Sequence, residues 1–381
     1  MIPYGRHQIT PDDVAAVVDV LENRFLTQGD QVPLFEQDLC EYTGACHAIA
    51  ANSGTSALHI ACLALDIGPG DVVWTTPISF VASANCARYC GADVDFVDID
   101  PDTHNISLQA LSDRLDAARR QHRLPKAIVV VHYAGLSCDM QSIRSLTEAD
   151  GIHLIEDASH ALGGYYQERP VGCSDWSEAT IFSFHPVKSI TSAEGGALLT
   201  RDPELARKAR LFASHGITRD ASAMEDNPDG PWYYQQVALG YNYRLSDLHA
   251  ALGRSQLGRA TTLIEARATK AGRYCEALKH LPLRLPGGTE FARSAWHLYP
   301  VELMEHDRSR IYEVMVSRGI GVNVHYIPIH LQPYYRRLGF SPGDFPVAES
   351  FYQKMLTLPL FPELSADEQE QVIHALTESL N

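Results

Sequence analysis

One lysine stands alone in a run of aromatic, hydroxyl and small residues, Ser183 to Gly196, "SFHPVKSITSAEGG". The closest lysines in sequence are Lys126 and Lys208. Among low-polarity neighbours an ammonium loses proton affinity, and the neutral amine attacks an aldehyde. A loop lysine is otherwise a solvated charge, so Lys188 gains chemical meaning only through its company. Asp157, thirty-one residues earlier, follows the apolar run "HLIE". A carboxylate there either caps the next helix or holds a proton on a pyridine nitrogen, making that ring an electron sink. Glu156 should point to the opposite face of the strand and is read as a packing or salt-bridge residue. The turn "NSGTSALH", Asn52 to His59, places Gly54 and Thr55 at a helix start. Free N–H groups there can hold a phosphate or simply close a capped turn. Ser183 can serve the same phosphate. Phe80, in "TTPISFVASAN", either fills a core or stacks on a flat ring.

These groups need a scaffold that brings strand ends together. The segments "HAIAA", "DVVWTTPISF", "ADVDFVDID", "KAIVVVHYAG", "GIHLIEDASHALGG", "ATIFSFHP" and "GGALLTR" read as strands, the second and fifth running on into turns, with helical patterns between them. Continuous apolar strands alternating with helices indicate a mostly parallel sheet covered on both faces, with ligands at the carboxyl ends of the strands. The first helix is expected from Pro11 to Asn23, capped by Thr10 with Pro11 at N1. From about Leu245 helical patterns dominate. They are followed by strand-like "AWHLYPVELM", helical "RSRIYEVMVSRG" and strand-like "GVNVHYIPI". This predicts two domains: residues 1–244 as a large α/β domain with an N-terminal substrate segment, and 245–381 as a smaller α+β domain. A phosphate-binding turn, a strand-end aspartate and a later lysine on such a sheet are what a pyridoxal-phosphate enzyme of the aspartate-aminotransferase fold (fold type I) requires.

Composition narrows the classes. The chain has 381 residues and a formal net charge of -16, which repels nucleic-acid backbones. No apolar run reaches membrane-spanning length, and "MIPYGRHQITPDDV" has no apolar leader core. The eight cysteines form no C-x-x-C pair. The expectation is a reduced, cytoplasmic protein without a cysteine metal site. No G-x-G-x-x-G follows the first strand, which argues against a dinucleotide-binding dehydrogenase.

The ordered motifs "FLTQGDQVPLFEQDL", "ANSGTSALHIA", "TTPISFVASAN", "EDASHALGG", "SFHPVKSITSAEGGALLT", "LGYNYRLSDLHAALG" and "VHYIPIHLQPYY" span nearly the whole chain. With them the sequence resembles the DegT/DnrJ/EryC1/StrS sugar-nucleotide aminotransferases. "SFHPVKSIT" and "VHYIPIHLQPYY" look most like the subgroup that aminates C4 of a UDP-4-keto-6-deoxy-N-acetyl-hexosamine on the route to pseudaminic acid. The resemblance implies that Lys188 carries the cofactor as a Schiff base and moves the proton. It implies that Asp157 pairs with the pyridine nitrogen and that His160 lies near the phenolic oxygen. Gly54, Thr55 and Ser183 would hold the phosphate, and Phe80 would stack on the ring. Asn242 would reach the partner subunit's cofactor in a homodimer with shared active sites. Tyr4, the stretch Arg24, Phe25, Leu26 and Thr27, and the pair His325 and Tyr326 correspond to substrate contacts. Glutamate is the implied amino donor. "TSAEGG" stands where "TTGEGG" is common, a departure that touches local turn geometry. Lys188 itself argues against the family's dehydratase branch, in which a histidine replaces the lysine. His185 and His330 are either substrate or proton-relay groups or structural residues. Arg24 and Arg244 either offset phosphate charge or form surface ion pairs. A 3-aminotransferase acting on another sugar nucleotide, and a non-catalytic ligand-binding regulator, are the rival readings.

Overall fold

A computed structural model describes residues 1–380. The seven expected apolar segments all form strands: β1 (His47–Ala51), β2 (Val72–Thr75), β3 (Asp93–Phe96), β4 (Ala127–Val131), β5 (His153–Asp157), β6 (Ala179–Ser183) and β7 (Gly196–Thr200). They make one sheet in the order β1-β7-β6-β5-β4-β2-β3. All neighbours from β3 to β6 pair in parallel, and only β7 runs against both of its partners.

Alternate residues of these strands feed opposite faces, as the pleat demands. Ile49, Val129, Ile155, Ile181 and Leu198 pack beneath α3 (Gly54–Ala64), α4 (Ala82–Tyr89) and α7 (Pro203–Ala213). On the other face Ala50, Phe182 and Leu199 meet α2 (Gln31–Thr43) and α8 (Asp247–Leu257). Ile128, Val130 and Leu154 there meet α5 (Leu108–Gln121) and α6 (Met140–Thr147). Both faces are dry, which is why the strands read as continuous apolar runs.

Helix α1 (Pro11–Asn23) starts as expected: the Thr10 hydroxyl accepts from Asp13 N–H, and Asp13 Oδ2 accepts from Thr10 N–H. Asp13 is fully buried and also takes Arg259 Nη2 at 2.6 Å, which ties α1 to the chain beyond α8. A second anchoring carboxylate is Asp247, at the first position of α8 and fully buried. It accepts from Gly29 N–H at 2.9 Å and Gln31 N–H at 2.8 Å. Asp247→Ala would strand two amides beside a buried surface, at about 1–3 kcal/mol each. The expected outcome is a lower urea midpoint and faster amide hydrogen exchange across residues 24–31.

The second body has an antiparallel sheet, β8 (Leu283–Arg284), β9 (Tyr299–Leu303) and β10 (Met355–Leu358), with β9 in the centre. Helices Arg308–Ser317 and Ala366–Ser379 cover it. "GVNVHYIPI", expected as a strand, is not one: it makes only the single bridge Asn323 to Thr357. The Asn323 side chain accepts from Val324 N–H, competing with the ladder, and Pro328 has no N–H to give. Freed from the sheet, the segment turns His325 and Tyr326, joined by a cis peptide, into a cavity wall.

Helix α9 (Ala260–Leu278) serves both bodies. Its Ala260, Leu263 and Ile264 pack with the large sheet, while Ala271, Tyr274 and Leu278 pack with the small one. Ile2 joins the small core and bridges Ile320. We therefore propose that the domain division falls inside α9 rather than at residue 245, with the first residues of the chain belonging to the second body.

Candidate active site

A cavity of about 360 Å³ opens where the carboxyl ends of β4, β5 and β6 meet the second body. Register brings those ends together, with Val131 opposite Asp157 on the parallel pair and Ser183 opposite Gly196 on the returning strand. Val131, Asp157 and Ser183 all line the cavity.

Asp157 is the last residue of β5 and is buried. Its Oδ1 accepts from Ser159 N–H at 3.2 Å and from Ser159 Oγ at 2.6 Å. Its Oδ2 accepts from Ser83 Oγ at 2.5 Å. A carboxylate has about four lone-pair sites, so three donors leave one for a further partner. Glu156 faces the other way, as expected. It bonds His132 Nε2 at 2.7 Å, Ser177 Oγ at 2.5 Å and Thr180 Oγ1 at 3.1 Å. Cys138 N–H donates to His132 Nδ1 at 3.2 Å, which needs that nitrogen unprotonated. The geometry therefore describes a neutral imidazole donating to Glu156, although the carboxylate beside it favours the cation.

The N-terminus of α3 forms the second wall. Ser53 caps it by accepting from Ser56 N–H, and Ala57 N–H bonds Ser53 O. The first two helical amides, Gly54 and Thr55, find no acceptor among the described residues. They face a cavity where an anion would complete them. Ser183 closes this corner: a Cβ on Gly54 would come within 2.9 Å of Ser183 Cβ, and one on Gly196 within 2.4 Å of Gly54 N. Both glycines are there because the strands and the helix start approach each other too closely for a side chain.

Lys188 lines the cavity from the loop after β6. Burial lowers its ammonium to about 8, partly opposed by the negative charge of Asp157. Three histidines share this wall. His160 is held far below the usual imidazole range by burial and then by Lys188 and His325. His297 is held down by burial, His160 and Lys188, among others. Burial and Lys188 bring His325 to about 4. These imidazoles are neutral at pH 7. His160 Nε2 lies 3.1 Å from Tyr326 Oη, and its ring centroid lies 4.3 Å from that of His297. Tyr4 packs against His325, and Phe80, a residue 57% exposed, lies across from Tyr326.

The depressed lysine gives a signed expectation for the cofactor-free protein. Between about pH 8 and the ordinary lysine value of 10.5, the unfolded chain holds a proton that the folded chain has released. Stability attributable to Lys188 therefore rises with pH across that window and is constant below it. The amine is also the form that attacks an aldehyde. The rate at which the cofactor-free protein captures pyridoxal phosphate should rise through pH 8 and flatten well before pH 10, as read by stopped-flow absorbance. A rate still climbing at pH 10 would identify a solvated lysine instead.

Ten of the expected site residues meet at this cavity: Tyr4, Gly54, Thr55, Phe80, Asp157, His160, Ser183, Lys188, His325 and Tyr326. His185 also lines it, from an exposed position. His330 does not: it is fully buried, bonds Glu349 at 2.9 Å and packs against Phe96 and Phe345, a structural role. Arg24, Phe25, Leu26 and Thr27 lie outside the cavity of this chain, on an exposed loop held by Asp247. Arg24 pairs there with Asp19 and Asp30. Asn242 is likewise exposed and outside, bridged to Ser214. Arg244 donates to Ser214 Oγ at 3.3 Å. The reading of the sequence passed over Ser79, Ser83, Ser159 and His297. The serines stand within quoted motifs, so their spacing was available as a signal. His297 arrives from the second body and carried none.

These walls suit one kind of ligand: a phosphate at the α3 amides, a protonated ring nitrogen at Asp157 and an aldehyde carbon at Lys188. Comparison with known proteins agrees. The model of the DegT/DnrJ/EryC1/StrS aminotransferase family matches residues 7–377. Spore coat polysaccharide biosynthesis protein SpsC of Bacillus subtilis is 38% identical over 98% of this chain and 96% of its own. The structure of Helicobacter pylori PseC, an aminotransferase involved in the biosynthesis of pseudoaminic acid, superposes with a TM-score of 0.90 at 34% identity. That match covers 100% of this chain and 99% of PseC. Spr1654 from Streptococcus pneumoniae, in its PMP-form, superposes with a TM-score of 0.91 at 29% identity, covering 100% and 99%. The fold is that of the fold type I pyridoxal-phosphate enzymes. This chain belongs to the DegT/DnrJ/EryC1/StrS aminotransferase family, and is a pyridoxal-phosphate-dependent sugar aminotransferase.

Proposed function

We propose that the enzyme transfers an amino group from L-glutamate to C4 of a UDP-4-keto-6-deoxy-N-acetyl-hexosamine, in pseudaminic-acid-type nucleotide-sugar synthesis. The observation that carries the transamination is the meeting of Lys188, Asp157 and the open α3 amides in one cavity. The sugar assignment rests on the likeness to PseC and on "VHYIPIHLQPYY", whose His325 and Tyr326 line that cavity.

When bound, the cofactor accepts the electron pair left at carbon when a Cα proton departs. In this reading Lys188 Nζ would anchor the cofactor, then take that proton and return it to the former aldehyde carbon, on the far side of the nitrogen that joins the two carbons. Asp157 Oδ2 holds the ring-nitrogen proton. Gly54, Thr55 and Ser183 hold the phosphate, Phe80 covers the ring, and neutral His160 borders the phenolic oxygen. Tyr4, His325 and Tyr326 line the side from which the ketosugar enters.

The enzyme works as a homodimer in this proposal. Arg24 to Thr27 and Asn242 then complete the partner subunit's site, which accounts for their exposure here. Phe25 (77% exposed), Trp232 (69%) and Leu239 (80%) are large apolar side chains that such an interface would cover. A cytoplasmic location accords with eight cysteines that all remain thiols.

The test uses the purified holoenzyme. Its visible band should bleach with L-glutamate, releasing one 2-oxoglutarate per site. It should return on adding the UDP-4-keto-6-deoxy-N-acetyl-hexosamine, with ping-pong kinetics. Nuclear magnetic resonance of the product then assigns the aminated carbon. Nitrogen at C3, or a band indifferent to glutamate, overturns the corresponding part of the proposal.

A further inference from the structure

Asp157 is held by more than its own turn. Ser83, fully buried on α4, donates Oγ–H to Asp157 Oδ2 at 2.5 Å. Ser79, four residues earlier in the turn that precedes α4 and at the cavity wall, has its Oγ 2.6 Å from Ser83 Oγ. An ionised carboxylate only accepts, and a serine has one hydroxyl proton. Ser83 must spend that proton on Asp157, so Ser79 must donate to Ser83. The chain Ser79 to Ser83 to Asp157 has a single direction.

The oxygens of Asp157 are also made unequal. Both lone-pair sites of Oδ1 are taken by Ser159 N–H and Oγ–H. Oδ2 takes Ser83 and keeps one site open. From this asymmetry we propose that Ser83, backed by Ser79, is a positioning residue that presents Asp157 Oδ2 as the acceptor for the cofactor's ring-nitrogen proton. The proposal rests on the reading that Asp157 pairs with that nitrogen. Charge-assisted bonds are the strong ones, and hydrogen bonds in a dry chain reinforce one another. Without Ser83, Oδ2 loses the donor that fixes its rotamer, and Ser79 loses its acceptor.

The experiment reads the ring nitrogen itself. Wild type, Ser83→Ala, Ser79→Ala, Asp157→Asn and the double variant Ser83→Ala/Asp157→Asn are each loaded with ¹⁵N-labelled pyridoxamine phosphate. Its ¹⁵N shift and its dissociation constant are then measured. The wild type should give a pyridinium shift. Asp157→Asn should move it toward the neutral-pyridine range and weaken binding most. Ser83→Ala should move it the same way and weaken binding by about tenfold, the scale of one charge-assisted hydrogen bond. Ser79→Ala should do the same to a smaller extent. In the Asp157→Asn background, Ser83→Ala should add nothing further. A Ser83→Ala shift equal to wild type, with Asp157→Asn moved, overturns the role of Ser83 and leaves the Asp157 pairing intact. If neither moves, the pairing itself is wrong. Should Ser83→Ala fail to fold, Ser79→Ala decides: an unmoved shift counts against the chain.

Discussion

Lys188→Ala is expected to fold, to retain cofactor only non-covalently, and to lose transamination by about 10⁴-fold, the upper range for a positioned proton-transfer group. The size follows from having no substitute at hand. The cavity wall offers His160, His297 and His325, but each is already displaced toward the neutral form and none carries an amine. The stability effect has the opposite sign. Among the described residues the charge that supports the ammonium is that of Asp157, and burial outweighs it. Removing it should leave the cofactor-free protein as stable as wild type or more so below about pH 8, with the advantage fading as pH rises toward 10.5. Urea denaturation at pH 7 and pH 10, alongside absorbance and turnover, checks both. A variant that is inactive and also strongly destabilised at pH 7 would make Lys188 a structural residue.

Asp157→Asn should reduce turnover by roughly 150- to 5,000-fold, the kinetic equivalent of removing one partner of a buried charge pair at about 3–5 kcal/mol. The amide is nearly isosteric: its oxygen can keep both Ser159 donors while its NH2 donates to a reoriented Ser83 hydroxyl, so the fold should survive. In the proposed arrangement the amide gives no charge to hold the ring-nitrogen proton, so the electron sink weakens while the corner proposed for the phosphate, at Gly54, Thr55 and Ser183, is untouched. The loss should therefore fall on kcat more than on KM for either substrate. Steady-state kinetics with both substrates separates these: a loss confined to KM would mean that Asp157 only shapes the cavity.

The large sheet could be read from the chain because its strands are dry on both faces. Runs such as "AIVVV" admit little else at that length. The site was legible to the extent that its residues follow strand ends, as Asp157 and Ser183 do, or open a helix, as Gly54 and Thr55 do. What stayed hidden depended on contacts distant in sequence. His297 reaches the cavity because Arg267, buried in α9, donates to the carbonyls of His297 and Leu360 and fixes the strand approach there. No local pattern announces such a guanidinium. "GVNVHYIPI" alternates like a strand, yet one asparagine and one proline divert it. Exposure of Phe25, set beside the burial of Asp247, likewise needs both segments in view.

Helix α9 bears on modularity. Because one turn of it seals the large core and a later turn seals the small one, neither body ends at a clean seam. A graft that exchanged the second body for that of a relative would have to carry α9 whole, together with the segment around Ile2, or cut through a hydrophobic interior. Diversity in this architecture is therefore expected to come by substitution on a fixed frame, at cavity-lining positions such as Tyr4 and His325, rather than by shuffling of parts.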